Sequence, residues 1–224
     1  MTELPRFERL EDRIVLDAEP TVALEGPTDV FLGSDDVTFT LTFDNTGDEA
    51  GYVPYIDVIL PTAGADGDDG VSFQEATFLG EPVVTTELVF DATGQIEHPF
   101  AVDSLGDPLV VTGAEGDTLL VVSLPYGSFS PGNPPVDVEL SLDLSELADL
   151  DQPLDITATG GFALGNDSQS NPATDPTITG ATASLSVQPE LYTLTKTSTA
   201  PEEEAATGPS YVYQHTIVLD IADG

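Results

Sequence analysis

Residues 36–43, DVTFTLTF, decide the fold class of this chain. Val37, Phe39, Leu41 and Phe43 alternate with three threonines. A period of two places the apolar side chains on one face of a β-strand and the threonines on the other. The stretch therefore predicts a strand with one face in a hydrophobic core and the other in solvent.

The same strand signal recurs along the chain, in 52–61, 82–90, 118–124, 136–143, 154–164 and 181–187. In YVPYIDVILP (52–61) it predicts Ile56, Val58 and Leu60 on one face, and Pro54 requires an edge position or a bulge. The continuous apolar run TLLVVSL (118–124) is typical of a strand covered on both sides. We expect about ten to twelve strands between residues 20 and 188, in an antiparallel sandwich. Only DLSELADLDQ (143–152) in this range suggests one or two helical turns.

Charge divides the chain into unequal parts. The sequence has 41 acidic and 4 basic residues, for a net charge of −37, with three arginines among the first thirteen residues. This asymmetry places a boundary near residue 18. A second boundary is predicted near 187–189, because new strands follow at 190–198 and 210–221 and two or three strands cannot form a sandwich alone. We therefore expect an N-terminal motif (1–18), a β-sandwich domain (19–188) and the start of a second sandwich repeat (189–224).

The acidic composition limits the partners. Nucleic acids are bound through basic patches, so they are excluded, as are anionic membrane surfaces. No apolar run approaches the ~20 residues of a membrane-spanning helix. With 40% hydrophobic residues and a mean hydropathy of +0.01, the chain can build a core, so its acids must lie on solvated faces. Such a surface requires screening by salt or bound cations, which indicates a saline or calcium-rich setting.

The first residues resemble a known motif. FERLEDRIVLDA (7–18) is similar to the N-terminal LEPR-XLL motif of very large bacterial surface or secreted proteins, through Leu10, Glu11, Arg13 and the Ile14–Leu16 run. Asp12 stands where that family usually has proline. The resemblance implies a targeting or processing tag ahead of the folded body.

A second resemblance covers VTFTLTFDNTGDEAGYVPYIDVILP (37–61), which is similar to the conserved-repeat domains of bacterial surface proteins. Asn45-Thr46-Gly47 and Leu60-Pro61 fill the turn and strand-end positions, and residues 194–209 resemble the opening of another unit. The resemblance implies an immunoglobulin-like fold, an extracellular or cell-surface location, and neighbouring repeats of the same chain as partners.

An acidic, glycine-rich loop is the candidate metal site. GADGDDG (64–70) supplies Asp66, Asp68 and Asp69, and Ca²⁺ takes ~6–8 oxygen ligands from such flexible loops. The alternative is a solvated loop, because residue 77 is threonine where an EF-hand has glutamate. A second acidic segment (165–176) holds a further set of candidate ligands, although its composition favours a turn-rich connection whose Asn and Asp side chains cap the backbone. These are Asn166, Asp167, Asn171 and Asp175.

Catalysis is not expected from this sequence. Neither histidine, His98 or His215, lies in a catalytic motif, and His215 falls on the apolar face of its strand. The absence of cysteine excludes thiol catalysis and cysteine metal sites. We therefore predict a non-catalytic structural or adhesive module of a secreted or surface repeat protein, with cell-surface or carbohydrate ligands as further partners.

Two other functions compete with this prediction. A carbohydrate-binding module of a secreted enzyme would present exposed aromatic platforms. Two aromatic pairs are candidates for them, Tyr52 with Tyr55 and Tyr126 with Phe129. An intracellular domain of a salt-loving organism would be acidic for solubility alone.

Overall fold

The computed structural model describes residues 17–67, 69–165, 176–199 and 214–222, and none of these is helical. They form sixteen strands. The first eight are β1 (Pro20–Glu25), β2 (Asp29–Phe31), β3 (Val37–Asn45), β4 (Gly51–Leu60), β5 (Val71–Phe78), β6 (Glu81–Pro82), β7 (Val84–Val89) and β8 (Gln95–Val102). The others are β9 (Pro108–Thr112), β10 (Thr118–Ser123), β11 (Ser128–Phe129), β12 (Val136–Leu144), β13 (Leu154–Leu164), β14 (Ile178–Glu190), β15 (Tyr192–Thr199) and β16 (Gln214–Ile221).

Two sheets enclose the main core. One has the order β1-β3-β12-β5-β6, and the other has the order β2-β14-β13-β4-β10-β7, with β11 pairing to the start of β4. All pairs are antiparallel except β14 with β2. Two hairpins, β8–β9 and β15–β16, form separate two-stranded sheets. The predicted all-β, immunoglobulin-like sandwich is confirmed.

The alternating pattern of residues 37–43 is buried as predicted. Phe39, Leu41 and Phe43 of β3 are buried, whereas the intervening threonines are exposed or half-buried. Phe43 meets the rings of Phe129 and Phe162 edge-on, at centroid distances of 5.4 and 5.6 Å. Edge-to-face pairs of this kind add stability beyond the area they bury. Alternation in β3 therefore decides which side of its sheet faces the core.

Strands β4 and β10 are buried on both faces. Ile56 and Leu120 belong to the main core, while Tyr55, Leu119 and Val121 project into a second, smaller core on the outer side of the sheet. The β8–β9 hairpin covers this second core, and Ala101 of β8 is fully buried within it. The hairpin explains why residues 118–124 form a continuous apolar run.

An edge position or a bulge was predicted for Pro54. It does not lie at a sheet edge, because β4 is a central strand. Its ladder with β10 ends at Tyr55, and the pairing with β11 begins at Tyr52. Between them, Val53 has a positive φ of 53°, an unusual conformation for a β-branched residue. The proline is tolerated because it lies where one partner strand gives way to the next.

Two other expectations were wrong. Residues 143–152 contain turns and no helix, because β12 extends to Leu144 and the Ser145 amide then donates to the Gly70 carbonyl. Fourteen strands, not ten to twelve, precede Leu191. Three of the unexpected strands, β2, β6 and β11, have only two or three residues. Such short segments carry no detectable periodicity.

The first described residues belong to the sandwich, although the motif was predicted to extend through residue 18. Ala18 is buried in the main core. The Asp17 carbonyl accepts hydrogen bonds from the amides of Asp48 and Glu49, at 2.9 and 3.3 Å. Residues 1–16 of the motif lie outside the described residues.

At the other end, β14 continues through the predicted boundary at 187–189. Gln188, Pro189 and Glu190 pair in parallel with β2, which keeps them in the sheet. The predicted strands at 190–198 and 210–221 correspond to β15 and β16, which pair with each other. The last sandwich strand thus ends at Glu190.

We predict that truncation tolerance changes sharply between residues 16 and 18. A chain that starts at Asp17 keeps the buried Ala18 and the Asp17 carbonyl bonds, and a chain that starts at Glu19 loses both. The shorter chain should lose about 1–3 kcal/mol of unfolding free energy relative to the longer one. Urea denaturation of the two chains measures the difference, and equal midpoints would show that residues 17 and 18 do not support the fold.

Candidate functional site

The predicted metal loop is joined by a distant carboxylate. Ligand oxygens of Asp66, Asp69 and Asp149 lie within 4.8 Å of one another, while Asp68 falls outside the described residues. Asp69 is only 5% exposed, Asp66 is exposed and Asp149 is half-buried. Sequence reasoning named Asp66 and Asp69 and missed Asp149, which lies 80 positions further along the chain.

Backbone turns bring these carboxylates together. The Gly70 amide donates to the Thr62 carbonyl at 3.1 Å, and the Gly70 carbonyl accepts from the Ser145 amide at 3.0 Å. These bonds tie the 62–70 loop to the segment that carries Asp149. Gly64 has a φ of +55°, and a Cβ there would lie 2.0 Å from Asp69 Oδ1. Only glycine therefore allows the Asp69 carboxylate to turn back over the loop.

Like charges dominate the electrostatics of this cluster. Partial burial, followed by the charges of Asp66, Asp69 and Asp151, raises the pKa of Asp149 above its ordinary value. A carboxyl with a raised pKa in the folded state favours folding at low pH, and this contribution is lost as the pH rises through that pKa. Near neutral pH the cluster is therefore a site of repulsion. A hard divalent cation with oxygen ligands would relieve it.

The second metal candidate cannot be placed. Asn166, Asp167, Asn171 and Asp175 all lie outside the described residues. Thr177, just after them, accepts a hydrogen bond from the Val102 amide at 2.9 Å and donates to the Ala163 carbonyl at 3.1 Å. Thr177 therefore links β8 to β13.

His98 forms a buried polar pair with Asp57. Its Nε2 lies 3.1 Å from Asp57 Oδ1, and the His98 side chain is fully buried. Its Nδ1 accepts from the Ala101 amide at 2.9 Å, so Nε2 carries the proton that is donated to Asp57. The ring joins the β8–β9 hairpin to the central strand β4.

Tyr55 completes this buried group. Its ring lies 4.9 Å from that of His98 and 5.4 Å from that of Phe100. Burial, and then the nearby Asp57 carboxylate, raise the pKa of Tyr55 far above its ordinary value, so the phenol stays neutral. Its hydroxyl has no hydrogen-bond partner among the described residues. The three polar groups therefore lie where a soluble substrate has no access to them.

The other sequence candidates have simpler surroundings. His215 is exposed on β16. Tyr55 and Phe129 are buried, so neither contributes to an aromatic platform for a sugar. Tyr126 packs against Phe78 and Phe129, at centroid distances of 5.8 and 5.6 Å.

No protein-family model matches this chain, and no curated protein matches it in sequence. Among solved structures, its fold is similar to AvmM, described as catalysing macrocyclization in alchivemycin A biosynthesis (17% identity, 76% of this chain, 87% of that one, TM-score 0.40). It is also similar to a fragment of the major pilin GBS80 of Streptococcus agalactiae (7% identity, 84% and 60%, TM-score 0.37). A third similar structure belongs to a cohesin–dockerin complex of Clostridium thermocellum (9% identity, 80% and 100%, TM-score 0.38).

These similarities concern the β-sandwich alone. At such identities and TM-scores, the partners and activities of those proteins do not transfer to this chain. Among the described residues, there is also no helix with the length and apolar character needed to span a membrane.

We predict that His98→Ala destabilises the fold by about 2–4 kcal/mol, because it leaves the buried Asp57 carboxylate and the Ala101 amide without partners. The chain offers a matched control in its other histidine, since His215→Ala removes an exposed ring and should change stability by less than about 0.5 kcal/mol. Chemical denaturation gives both values. Equal effects would mean that the His98–Asp57 pair does not fix the hairpin.

Proposed function

We propose that this chain is a non-catalytic structural or adhesive segment of a large secreted or cell-surface repeat protein. The described residues from Asp17 to Glu190 form one β-sandwich unit, and strands β15 and β16 begin a second. The observation that carries the proposal is a repeated strand ladder. The β15–β16 pair has the apolar pattern of the β1–β3 pair.

The two ladders correspond residue by residue. In the first, Val22 lies opposite Phe43 and Leu24 lies opposite Leu41. In the second, Tyr192 lies opposite Ile221 and Leu194 lies opposite Leu219, with the same spacing along both strands. Both strand pairs therefore present two successive apolar pairs on one face.

The difference between the ladders is burial. Leu24, Leu41 and Phe43 are 9% exposed or less, because the second sheet covers them. Their counterparts in the second ladder are between 54% and 64% exposed, namely Tyr192, Leu194, Leu219 and Ile221. An isolated two-stranded sheet is marginally stable at best. We infer that this face is the core face of a following sandwich, which makes neighbouring repeats the partners of this unit.

The surface charge supports an extracellular setting. Asp137 and Glu139 of β12 are exposed on the solvent face of their sheet, while Val138 and Leu140 between them are buried. A chain with a net charge of −37 repels itself unless ions screen it. Salt water or millimolar calcium outside a cell supplies that screening, and we propose the LEPR-XLL-like motif ahead of the sandwich as the export or processing tag.

Calcium has a specific place in this proposal. Asp66, Asp69 and Asp149 supply carboxylate oxygens from two loops at one end of the sandwich. A cation there would join the loop after β4 to the loop after β12 and would offset the repulsion described above. Calcium is thus proposed to rigidify the end of the unit.

A test of the repeat proposal is removal of the hairpin. A chain that ends at Glu190 should melt within about 2 °C of the longer chain, because no sandwich strand is lost. It should also bind less of a dye specific for exposed apolar surface. Leu194→Thr with Leu219→Thr should reproduce the loss of dye, and Thr195→Ser on the opposite face should not. A large fall in melting temperature on truncation would show that the hairpin belongs to the first unit.

A test of the calcium proposal compares melting in about 10 mM CaCl₂ with melting in NaCl of equal ionic strength. Sites of extracellular modules bind calcium with Kd values of ~0.1–1 mM, so the expected gain is about 1.4–2.7 kcal/mol. Asp149→Asn should remove most of this gain, yet should not destabilise the chain in EDTA, because it removes a repelling charge. Asp107→Asn, an exposed change in the turn between β8 and β9, is the control. A calcium effect equal to that of ionic strength alone would contradict the proposal.

A further inference from the structure

The edges of the two sheets are protected unequally. Natural proteins shield edge strands by making them short, by proline or lysine, by bulges or by covering them. Strand β2 has three residues, and β6 has two, one of them Pro82. Strand β1 is covered by β14, since a Cβ at Gly180 would lie 1.8 Å from the Pro20 carbonyl oxygen. Among the described edges of these two sheets, only β7 has six residues in continuous register and no proline, lysine or bulge.

The backbone of β7 has free hydrogen-bonding groups on its outer side. The Phe90 amide donates to the Asp117 carbonyl, in the same register that pairs Val89 with Thr118. Backbone groups of successive strand residues point to opposite sides, so Val84, Thr86 and Leu88 face β10. The amides and carbonyls of Thr85, Glu87 and Val89 face away from it. They have no partner among the described residues.

Two apolar side chains at this edge are largely exposed to solvent. Val84 is 72% exposed and Val89 is 65% exposed. A shallow groove lies beside the start of the strand, lined mainly by apolar residues. These include Phe78, Pro82, Val83, Leu124 and Pro125. The edge thus combines free backbone groups with an unfilled apolar surface.

We propose that β7 is an association edge that pairs antiparallel with β7 of a second copy of this chain, about a two-fold axis through Thr86. In this register Thr85 of each copy exchanges backbone hydrogen bonds with Glu87 of the other. Val84 lies opposite Leu88 of the other copy.

Hydrogen bonding and charge limit the registers that are possible. The free amides and carbonyls belong to odd-numbered residues, so odd-numbered residues of the two copies must lie opposite one another. A two-fold axis can then pass only through a residue and not between two residues. An axis at Glu87 would place that carboxylate directly opposite its copy, which is destabilising. An axis at Thr86 avoids this contact and keeps four backbone hydrogen bonds. The strand is therefore self-complementary in this register.

Net charge makes the association dependent on salt. Two chains of charge −37 repel each other over the ~10 Å screening length of 0.1 M salt, and that length falls to ~3 Å at 1 M. We expect monomers at low ionic strength. In 1 M NaCl, dimers should form and increase with protein concentration in sedimentation velocity.

The register can be tested with single cysteines, because the chain has none of its own. Residues on the axis form a non-hydrogen-bonded pair with Cα atoms ~4.5 Å apart, which suits a disulfide. Thr86→Cys should therefore yield a cross-linked dimer under mild oxidation in 1 M NaCl. Val84→Cys is equally accessible, but its two copies would lie four residues apart along the strand, ~13 Å, and it should stay monomeric.

A proline variant tests the outer edge of β7 without disturbing its pairing with β10. Glu87→Pro removes an outward amide and spares the ladder with β10, so it should abolish the Thr86→Cys cross-link while the melting temperature is kept. If this variant does not fold, Val84→Asp tests the same contact through its side chain, which lies opposite Leu88 of the other copy, and should also abolish the cross-link. Equal cross-linking of the cysteines at 84 and 86 would overturn the proposal. So would a folded chain that stays monomeric at every salt concentration.

Discussion

The burial of β4 and β10 on both faces is the constraint on which the rest of the structure depends. A two-layer sandwich covers only one face of each sheet, so the outer faces of these strands require a further layer. The β8–β9 hairpin supplies it and encloses Tyr55, Leu119 and Val121 in a second core. Asp57 projects into the same space, and a buried carboxylate needs hydrogen-bond donors. The His98 ring donates that hydrogen bond. The His98–Asp57 pair resembles a catalytic dyad, but its role in this fold is to fix the β8–β9 hairpin to β4.

Charge is the second constraint, and it acts at every exposed feature. With 41 acidic residues, the chain keeps its carboxylates on solvated strand faces and in loops. Where loops crowd them, as at Asp66, Asp69 and Asp149, repulsion accumulates. The same field opposes contact between chains. The proposed cation site and the proposed association along β7 would therefore depend on the ionic environment for the same physical reason.

Sequence periodicity predicted the parts of the fold that depend on local alternation. Strand β3, the solvent-facing acids of β12 and the doubly buried run in β10 follow directly from side-chain spacing. Features that depend on tertiary neighbours were not predictable in this way. Pro54 is tolerated only because the partner of β4 changes beside it. Asp149 joins the acidic loop through backbone bonds between distant turns, and His98 meets Asp57 only once the hairpin folds back.

The apolar face of β15–β16 and the outer edge of β7 would be covered through different interactions. The β15–β16 face is apolar, so covering it gains free energy roughly in proportion to the area removed from water. The β7 edge gains chiefly from backbone hydrogen bonds, each of which contributes little in net terms because water already satisfies the free groups. A face of the first kind suits permanent packing within one chain. An edge of the second kind suits reversible contact between chains, at a strength set by the salt that surrounds them.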